Sequence, residues 1–507
     1  MQTKTKIHWN ILLPLAITKL LLHFLTNTNY GLHRDEYLYV AESEHLSWGY
    51  MEVPPMIAVI GKMAMTIFGN TVFGVRFFPA IIGAISILLI GVMARDLGGK
   101  KYAQGLAGLA FLLSPAFLGS NQLFQPVSFN QFMWLLSAFF TVKILRCGAP
   151  KYWYALGITA GLGFLTKYSI VFFFTGLIVG FLLTPYRKVF TKKEPYIALG
   201  IALFIAFPNL LWQIKYDLPV MRHMADLASS QLVNVGVGDF ILPQFLFHFA
   251  AVPIWLAGLF WFLKQPTYRI LGITYLVVIG LLLALSGKAY YSIGAYSMLF
   301  AAGGVFWERQ LEQKAVYIFT PLLLLNLFLI PYSIPIFKIE AMKNYLAWMA
   351  EHAGIDAPLR WEDGVYRDLT QDYADMHGWD ELPAKVAKIY HQLSPEEQAK
   401  TLVWGGNYGH AGALNFYRKE YNLPVVYSFN SSFVMWTPDT LDIEYQIQVE
   451  DNYQSPSPYF EETILLDSIT NPYARDPGYI YLKRGAKGDL GKIWQEIVAE
   501  ERAAAGY

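Results

Sequence analysis

The sequence predicts a multi-pass α-helical membrane protein with a C-terminal α/β domain outside the membrane. Three observations carry that reading. Of 507 residues, 55% are hydrophobic and only 15% charged, with a mean hydropathy of +0.33; soluble domains hold about a quarter charged residues. The apolar residues stand in blocks of about 20, enough for a helix to cross hydrocarbon. From about residue 335 the blocks stop and charged residues become frequent.

The apolar segments run roughly over 9–26, 72–94, 102–120, 125–145, 152–166, 168–184, 196–214, 241–263, 267–286, 289–307 and 315–333, which gives about 11 spans. The first lacks a small-residue cleavage site and reads as a retained signal anchor. The stretch 152–184 is the ambiguous one, and charge decides it. With the N-terminus inside and this stretch split in two, the inner loops carry roughly 16 Lys and Arg, from Lys4 and Lys6 to Arg309 and Lys314, against roughly 7 outside. That topology puts residues 27–71, 215–240 and the C-terminal third on the outer face.

The outer pieces differ in kind. After Pro54-Pro55 comes MIAVIGKMAMTIFG, too short and too polar to span, so an interfacial helix is expected. The loop 215–240 is either a mobile lid or a surface connection. Beyond residue 334, the start Ser394-Pro395-Glu396-Glu397 signals a helix, whereas Thr401-Leu402-Val403-Trp404 and Pro424-Val425-Val426-Tyr427 signal strands. Two domains follow, 1–334 in the membrane and 335–507 as a soluble α/β unit.

Composition also excludes. A net charge of +1 gives no footprint for nucleic acid. The single Cys147 rules out an internal disulfide framework and a cysteine metal cluster. No HExxH and no EF-type loop is present, so no metal is assigned. The acidic groups at Glu362-Asp363 and Asp368, Asp372 and Asp375 read as a solvated face before they read as a weak calcium site.

The first outer loop is the unusual part: RDEYLYVAESEHLSWGYMEVPP. Carboxylates at the edge of a lipid phase are costly and need a reason. If the residues after Leu32 are helical, Asp35 and Glu36 point about 100° apart, and only one can face a given pocket. Asp35 would share a face with Tyr39, and Glu36 with Val40. A carboxylate beside a cavity can accept a proton from an attacking hydroxyl.

This loop resembles the first outer loop of the GT-C glycosyltransferases, in the bacterial branch related to protein O-mannosyltransferases and the lipid A aminoarabinose transferase. Asp35, Glu36, Tyr39, Ala41, Leu46, Gly49, Tyr50, Glu52, Pro54 and Pro55 carry the likeness. The segment from Gly161 through Thr166-Lys167-Tyr168-Ser169 is similar to another family segment, and so is Lys288-Ala289-Tyr290-Tyr291 with Ala295-Tyr296. The C-terminal third is only loosely alike, around Gly405-Gly406-Asn407-Tyr408-Gly409. The resemblance implies a GT-C-like fold in a bacterial cytoplasmic (inner) membrane, with the C-terminal domain in the periplasm.

It also implies a reaction. A sugar carried on polyprenyl phosphate passes to an acceptor glycolipid, polysaccharide or protein on the periplasmic face, with inversion. Asp35 would be the base, and Glu36 or Glu52 would assist or bind the acceptor. The aminoarabinose enzymes usually have Lys after that glutamate; here it is Val53, so one phosphate-binding cation is missing or comes from elsewhere. No divalent metal is implied for transfer. A departing phosphate needs fixed positive charge or donors. Lys288, Tyr290, Tyr291 and Arg222 are the candidates, with His223, His33, Arg34 and Lys167 behind them. A competing reading makes Lys288 and its tyrosines an interfacial anchor. The rival function is a transporter or flippase of lipid-linked sugars, but the sequence shows no repeat symmetry, and its candidate charges gather on one face.

Overall fold

The computed structural model describes residues 6–230 and 235–506. Lys4 and the 231–234 part of the loop 215–240 lie outside the described residues. The chain opens with α1 (Trp9–Thr26), whose exposed Leu13, Ile17, Leu21 and Leu25 form a lipid-compatible stripe at helical spacing. Its polar residues turn inward. Lys19 donates to the Phe117 carbonyl at 3.0 Å, and His23 Nδ1 meets Gln122 at 3.0 Å.

Helix α2 (Arg34–Glu44) begins at a capping box. His33 Nδ1 accepts from the Asp35 amide at 3.1 Å, and the Glu36 carboxylate accepts from the His33 amide at 2.7 Å. The acidic pair therefore sits in the first turn, where the helix dipole favours negative charge. Pro54-Pro55 then stops the extended chain and α3 (Met56–Phe68) follows. Its 13 residues reach about 20 Å, short of the roughly 30 Å of a hydrocarbon core. It buries Ile57, Ala58, Gly61 and Ala64 and exposes Val59, Met63 and Ile67, as an interfacial helix should. It ends at Gly69, whose φ of 69° few side chains tolerate.

Among the described residues, four helical stretches are long and apolar enough to span: Trp9–Thr26, Val72–Asp96, Glu194–Lys215 and Lys314–Tyr332. Two helix pairs are apolar enough only when taken together, and each is sharply bent: Ile170–Leu182 with Pro185–Thr191 by 107°, and Val237–Leu246 with Phe249–Lys264 by 80°. Other apolar helices, such as Pro126–Cys147 and Arg269–Ala284, complete the bundle. The expected continuous spans 102–120 and 241–263 are thus interrupted. At the first, Ser114-Pro115 ends helix Lys101–Leu112 and starts another. At the second, His248 forms the corner and bonds Ser114 Oγ at 2.7 Å, so the two breaks brace each other. The stretch 152–184 folds as two helices, Pro150–Thr166 and Ile170–Leu182, with Lys167 in the turn between them.

The C-terminal part builds a five-stranded mixed sheet of order β2-β1-β3-β5-β4. Its strands are β1 (Thr401–Gly405), β2 (Val426–Tyr427), β3 (Tyr445–Glu450), β4 (Phe460–Asp467) and β5 (Tyr479–Ala486). β1 runs parallel to β2 and β3, and β5 antiparallel to β3 and β4. Helix Tyr408–Tyr417 leaves β1 and packs on α2 so closely that a Cβ at Gly412 would stand 2.7 Å from Tyr37 Cβ. Leu38 and Ala41 of α2 share one apolar core with Val403, Leu414 and Ile447. The acidic loop is therefore clamped between bundle and sheet.

One ion pair fixes the root of that loop. Arg76 and Glu36 are both fully buried and meet at 2.6 Å; Arg76 also donates to the carbonyls of Asn27 at 2.6 Å and Gly31 at 2.7 Å. Removing one partner of such a pair strands a buried charge. Arg76→Ala is expected to lose about 3–5 kcal/mol, read as a fall in unfolding temperature in detergent, whereas Arg76→Lys should lose less. An unchanged unfolding temperature in Arg76→Ala would remove the pair from this role.

Candidate active site

Asp35 lies half-buried in the first turn of α2, pointing away from Glu36 as helical geometry requires. Its Oδ1 accepts from the Tyr408 hydroxyl at 2.8 Å and its Oδ2 from Gln125 Nε2 at 3.4 Å. Tyr408 comes from the turn after β1, and Gln125 precedes helix Pro126–Cys147. Three distant segments thus orient one carboxylate. The Arg34 guanidinium lies over the Tyr408 ring, 4.9 Å from its centre, and fixes the ring from the other side.

Facing Asp35 is a basic, aromatic wall. Lys167 feels the charge of both Asp35 and Lys288. Its ammonium stands 5.5 Å from the ring centre of Tyr290 and 5.3 Å from that of Tyr291. Those two rings meet edge to face at 4.7 Å. Lys167 ends helix Pro150–Thr166, and the tyrosines sit in a 3₁₀ turn, Ala289–Ala295, that starts right after Lys288. Burial pushes the Lys167 pKa down to about 8, with Lys288 adding to the fall and Asp35 opposing it. Burial pushes the Tyr290 and Tyr291 hydroxyls up, so both keep their protons and can donate. Lys288 lies 3.8 Å from Glu362, which brings the acidic segment of the C-terminal part to the same rim.

The other candidates lie elsewhere. Glu36 is spent on Arg76 and on the amides of His33 and Phe124. Glu52 accepts from Ser432 Oγ at 2.8 Å and lies beside the fully buried Glu42. Burial lifts both carboxyls, Glu42 the more strongly, with Glu52 adding to its rise. Arg222 bonds Asp217 and the Ala504 carbonyl at 3.0 Å, tying helix Pro219–Ser230 to the end of the last helix. Sequence reasoning missed Tyr408, Gln125 and Glu42. Only Tyr408 carried a signal, since it lies in the Gly-rich segment after a strand.

The family described as dolichyl-phosphate-mannose-protein mannosyltransferase matches residues 52–212. A lipid A galacturonosyltransferase (RgtD) of Rhizobium johnstonii is 28% identical over 215 residues, 42% of this chain and 45% of that protein. An undecaprenyl phosphate-α-4-amino-4-deoxy-L-arabinose arabinosyl transferase of Proteus mirabilis is 28% identical over 33% of this chain and 31% of its own. The chain matches less than half the length of these relatives. The crystal structure of ArnT from Cupriavidus metallidurans in the apo state superposes with a TM-score of 0.60 at 14% identity, covering 93% of this chain and 97% of that one. The same protein bound to undecaprenyl phosphate gives 0.58 at 15%, covering 94% and 98%.

The chain thus shares the fold of that structure, and residues 52–212 resemble the mannosyltransferase family. The similar sequences carry the names of a lipid A galacturonosyltransferase and of undecaprenyl phosphate-α-4-amino-4-deoxy-L-arabinose arabinosyl transferases.

The Tyr408–Asp35 contact can be tested by itself. A hydrogen bond to a charged group contributes about 1.5–3 kcal/mol; half-exposure puts this one at the low end. A double-mutant cycle of Tyr408→Phe and Asp35→Asn, followed by thermal unfolding, should show a coupling of about 1 kcal/mol. Strict additivity would mean the two side chains do not interact.

Proposed function

We propose that this protein transfers a sugar from a polyprenyl-phosphate-linked donor to an acceptor at the periplasmic face of a bacterial inner membrane. The observation that carries the reading is one oriented carboxylate, Asp35, whose charge reaches Lys167, a lysine that also feels Lys288 and stands against the rings of Tyr290 and Tyr291. The acceptor's O–H or N–H gives its proton to Asp35 as its lone pair forms a bond to the anomeric carbon. The bond from that carbon to the phosphate oxygen breaks, and the electron pair leaves with polyprenyl phosphate. Base and leaving group on opposite sides of the carbon imply inversion.

Lys167 and Lys288 face the developing phosphate charge, and Tyr290 and Tyr291 supply neutral donors. Lys167 takes the place of the cation that Val53 does not provide. Glu36 fixes the helix that presents Asp35 and has no step in the reaction. Glu52 remains with Ser432 and Glu42, and Arg222 anchors the last helix; neither receives a step. The name of the galacturonosyltransferase relative favours a glycolipid acceptor. The N-terminus inside and the residues after 334 in the periplasm complete this proposal, which the excess of Lys and Arg in alternate loops supports.

Asp35→Asn should lower turnover by about 10²–10⁴-fold, with donor affinity nearly unchanged. The assay is transfer by protein in nanodiscs from a panel of labelled polyprenyl-phosphate hexoses, hexuronic acids and aminopentoses. Near-normal turnover at normal expression removes Asp35 as the base. Lys288→Ala should weaken donor binding; unchanged kinetics would oppose a phosphate role.

The Lys167 pKa gives a pH test with a definite sign. Only its protonated form attracts phosphate, so donor affinity should be full below pH 8 and fall as the pH rises through about 8. In Lys167→Arg that alkaline limb should vanish, because arginine stays charged. Persistence of the limb would assign it to another group.

A further inference from the structure

Behind Tyr408 lies a second cluster that the transfer reaction does not use. His410 is fully buried on helix Tyr408–Tyr417, and neither of its ring nitrogens has a hydrogen-bond partner. Its Nε2 lies 3.3 Å from Asp451 Oδ1, at the end of β3. Asp476, from the segment before β5, is 9% exposed, and its Oδ2 also lacks a hydrogen bond. One donor atom from each of His410, Asp451 and Asp476 falls within 4.8 Å of the other two. Each unsatisfied buried polar atom costs about 1–3 kcal/mol, and here three donor atoms converge, two of them on residues with unsatisfied buried atoms.

We propose that His410, Asp451 and Asp476 bind a divalent zinc ion. Two ligands on one tetrahedral zinc, at about 2.0–2.1 Å each, stand about 3.3–3.4 Å apart, the separation that Nε2 and Oδ1 already have. A nitrogen donor with only two carboxylates suits zinc better than calcium or magnesium, which prefer more oxygens. Asn407 Nδ2 donates to both oxygens of Asp451, at 3.0 and 2.9 Å, and orients it as an outer-shell partner does. Arg34 lies 3.7 Å from Asp476 Oδ2 and also acts on Asp451, one cation for two carboxylates. The ion joins the end of β3, the segment before β5 and the helix that starts at Tyr408. The inference rests on this cluster and holds whatever the protein's reaction.

The test is zinc binding by full-length protein in detergent, stripped with chelator and titrated by calorimetry without any sugar donor. One saturable zinc per chain and a rise in unfolding temperature are expected. Asp451 is half-exposed, so Asp451→Asn should fold, and Asp476→Asn provides a second variant. Each should weaken zinc binding by more than the about 10–100-fold typical of outer-shell changes. Asp442→Asn, at an exposed acid elsewhere on the sheet, should bind as the unmodified protein does. No saturable zinc, equal affinity in Asp451→Asn, or tighter binding of calcium or magnesium than of zinc would overturn the site. Sugar transfer is not read in this experiment, so its result and that of the transfer assays are separable.

Discussion

The buried Arg76–Glu36 pair is the constraint on which the outer face depends. A guanidinium and a carboxylate, both at zero exposure, are costly to remove from water and are tolerated only when every donor finds an acceptor. Arg76 meets that condition by reaching the carbonyls of Asn27 and Gly31 as well as Glu36. Glu36 in turn holds the His33 and Phe124 amides. The result fixes where α1 ends, where α2 begins and how α2 is rotated. Asp35 is one residue along the same helix, so its direction follows from its neighbour's burial. The direction of one carboxylate is thereby set by the burial of the other.

The second support comes from the far end of the chain. Tyr408 reaches Asp35 across 373 residues of sequence, carried by a turn between β1 and a helix that is packed hard against α2. The sheet is therefore part of the device that holds the carboxylate. The stretch ahead of the sheet contributes Glu362, which lies 3.8 Å from Lys288. Bundle and C-terminal part thus meet at both Asp35 and Lys288.

Much of this was legible in the residues, and the failures have physical causes. The helical angle between Asp35 and Glu36 showed that only one could face a pocket, and the structure turns Glu36 to Arg76. Nothing local distinguished which of the two would be buried, because Arg76 lies 40 residues away. Pro54-Pro55 and the polar apolar mix after it gave α3 correctly. The spans at 102–120 and 241–263 read as continuous because hydropathy counts apolar residues and not their direction. The Ser114–His248 bond that braces both corners joins residues 134 apart. Tyr408, Gln125 and Glu42 escaped notice for the same reason: each acquires its part through a partner distant in sequence, or through burial that composition does not record.

The central claim is that phosphate is held on the Lys167–Lys288 wall, across from Asp35. The most direct measurement is a cryo-EM structure of the full chain in nanodiscs with polyprenyl phosphate bound. The account predicts the phosphate within hydrogen-bond or ion-pair reach of Lys167 and Lys288, with the Tyr290 or Tyr291 hydroxyl beside it and the Asp35 carboxylate facing it over a gap wide enough for a sugar. Phosphate held instead near Arg222, or on the Glu42–Glu52 pocket, with Asp35 facing solvent, would contradict it.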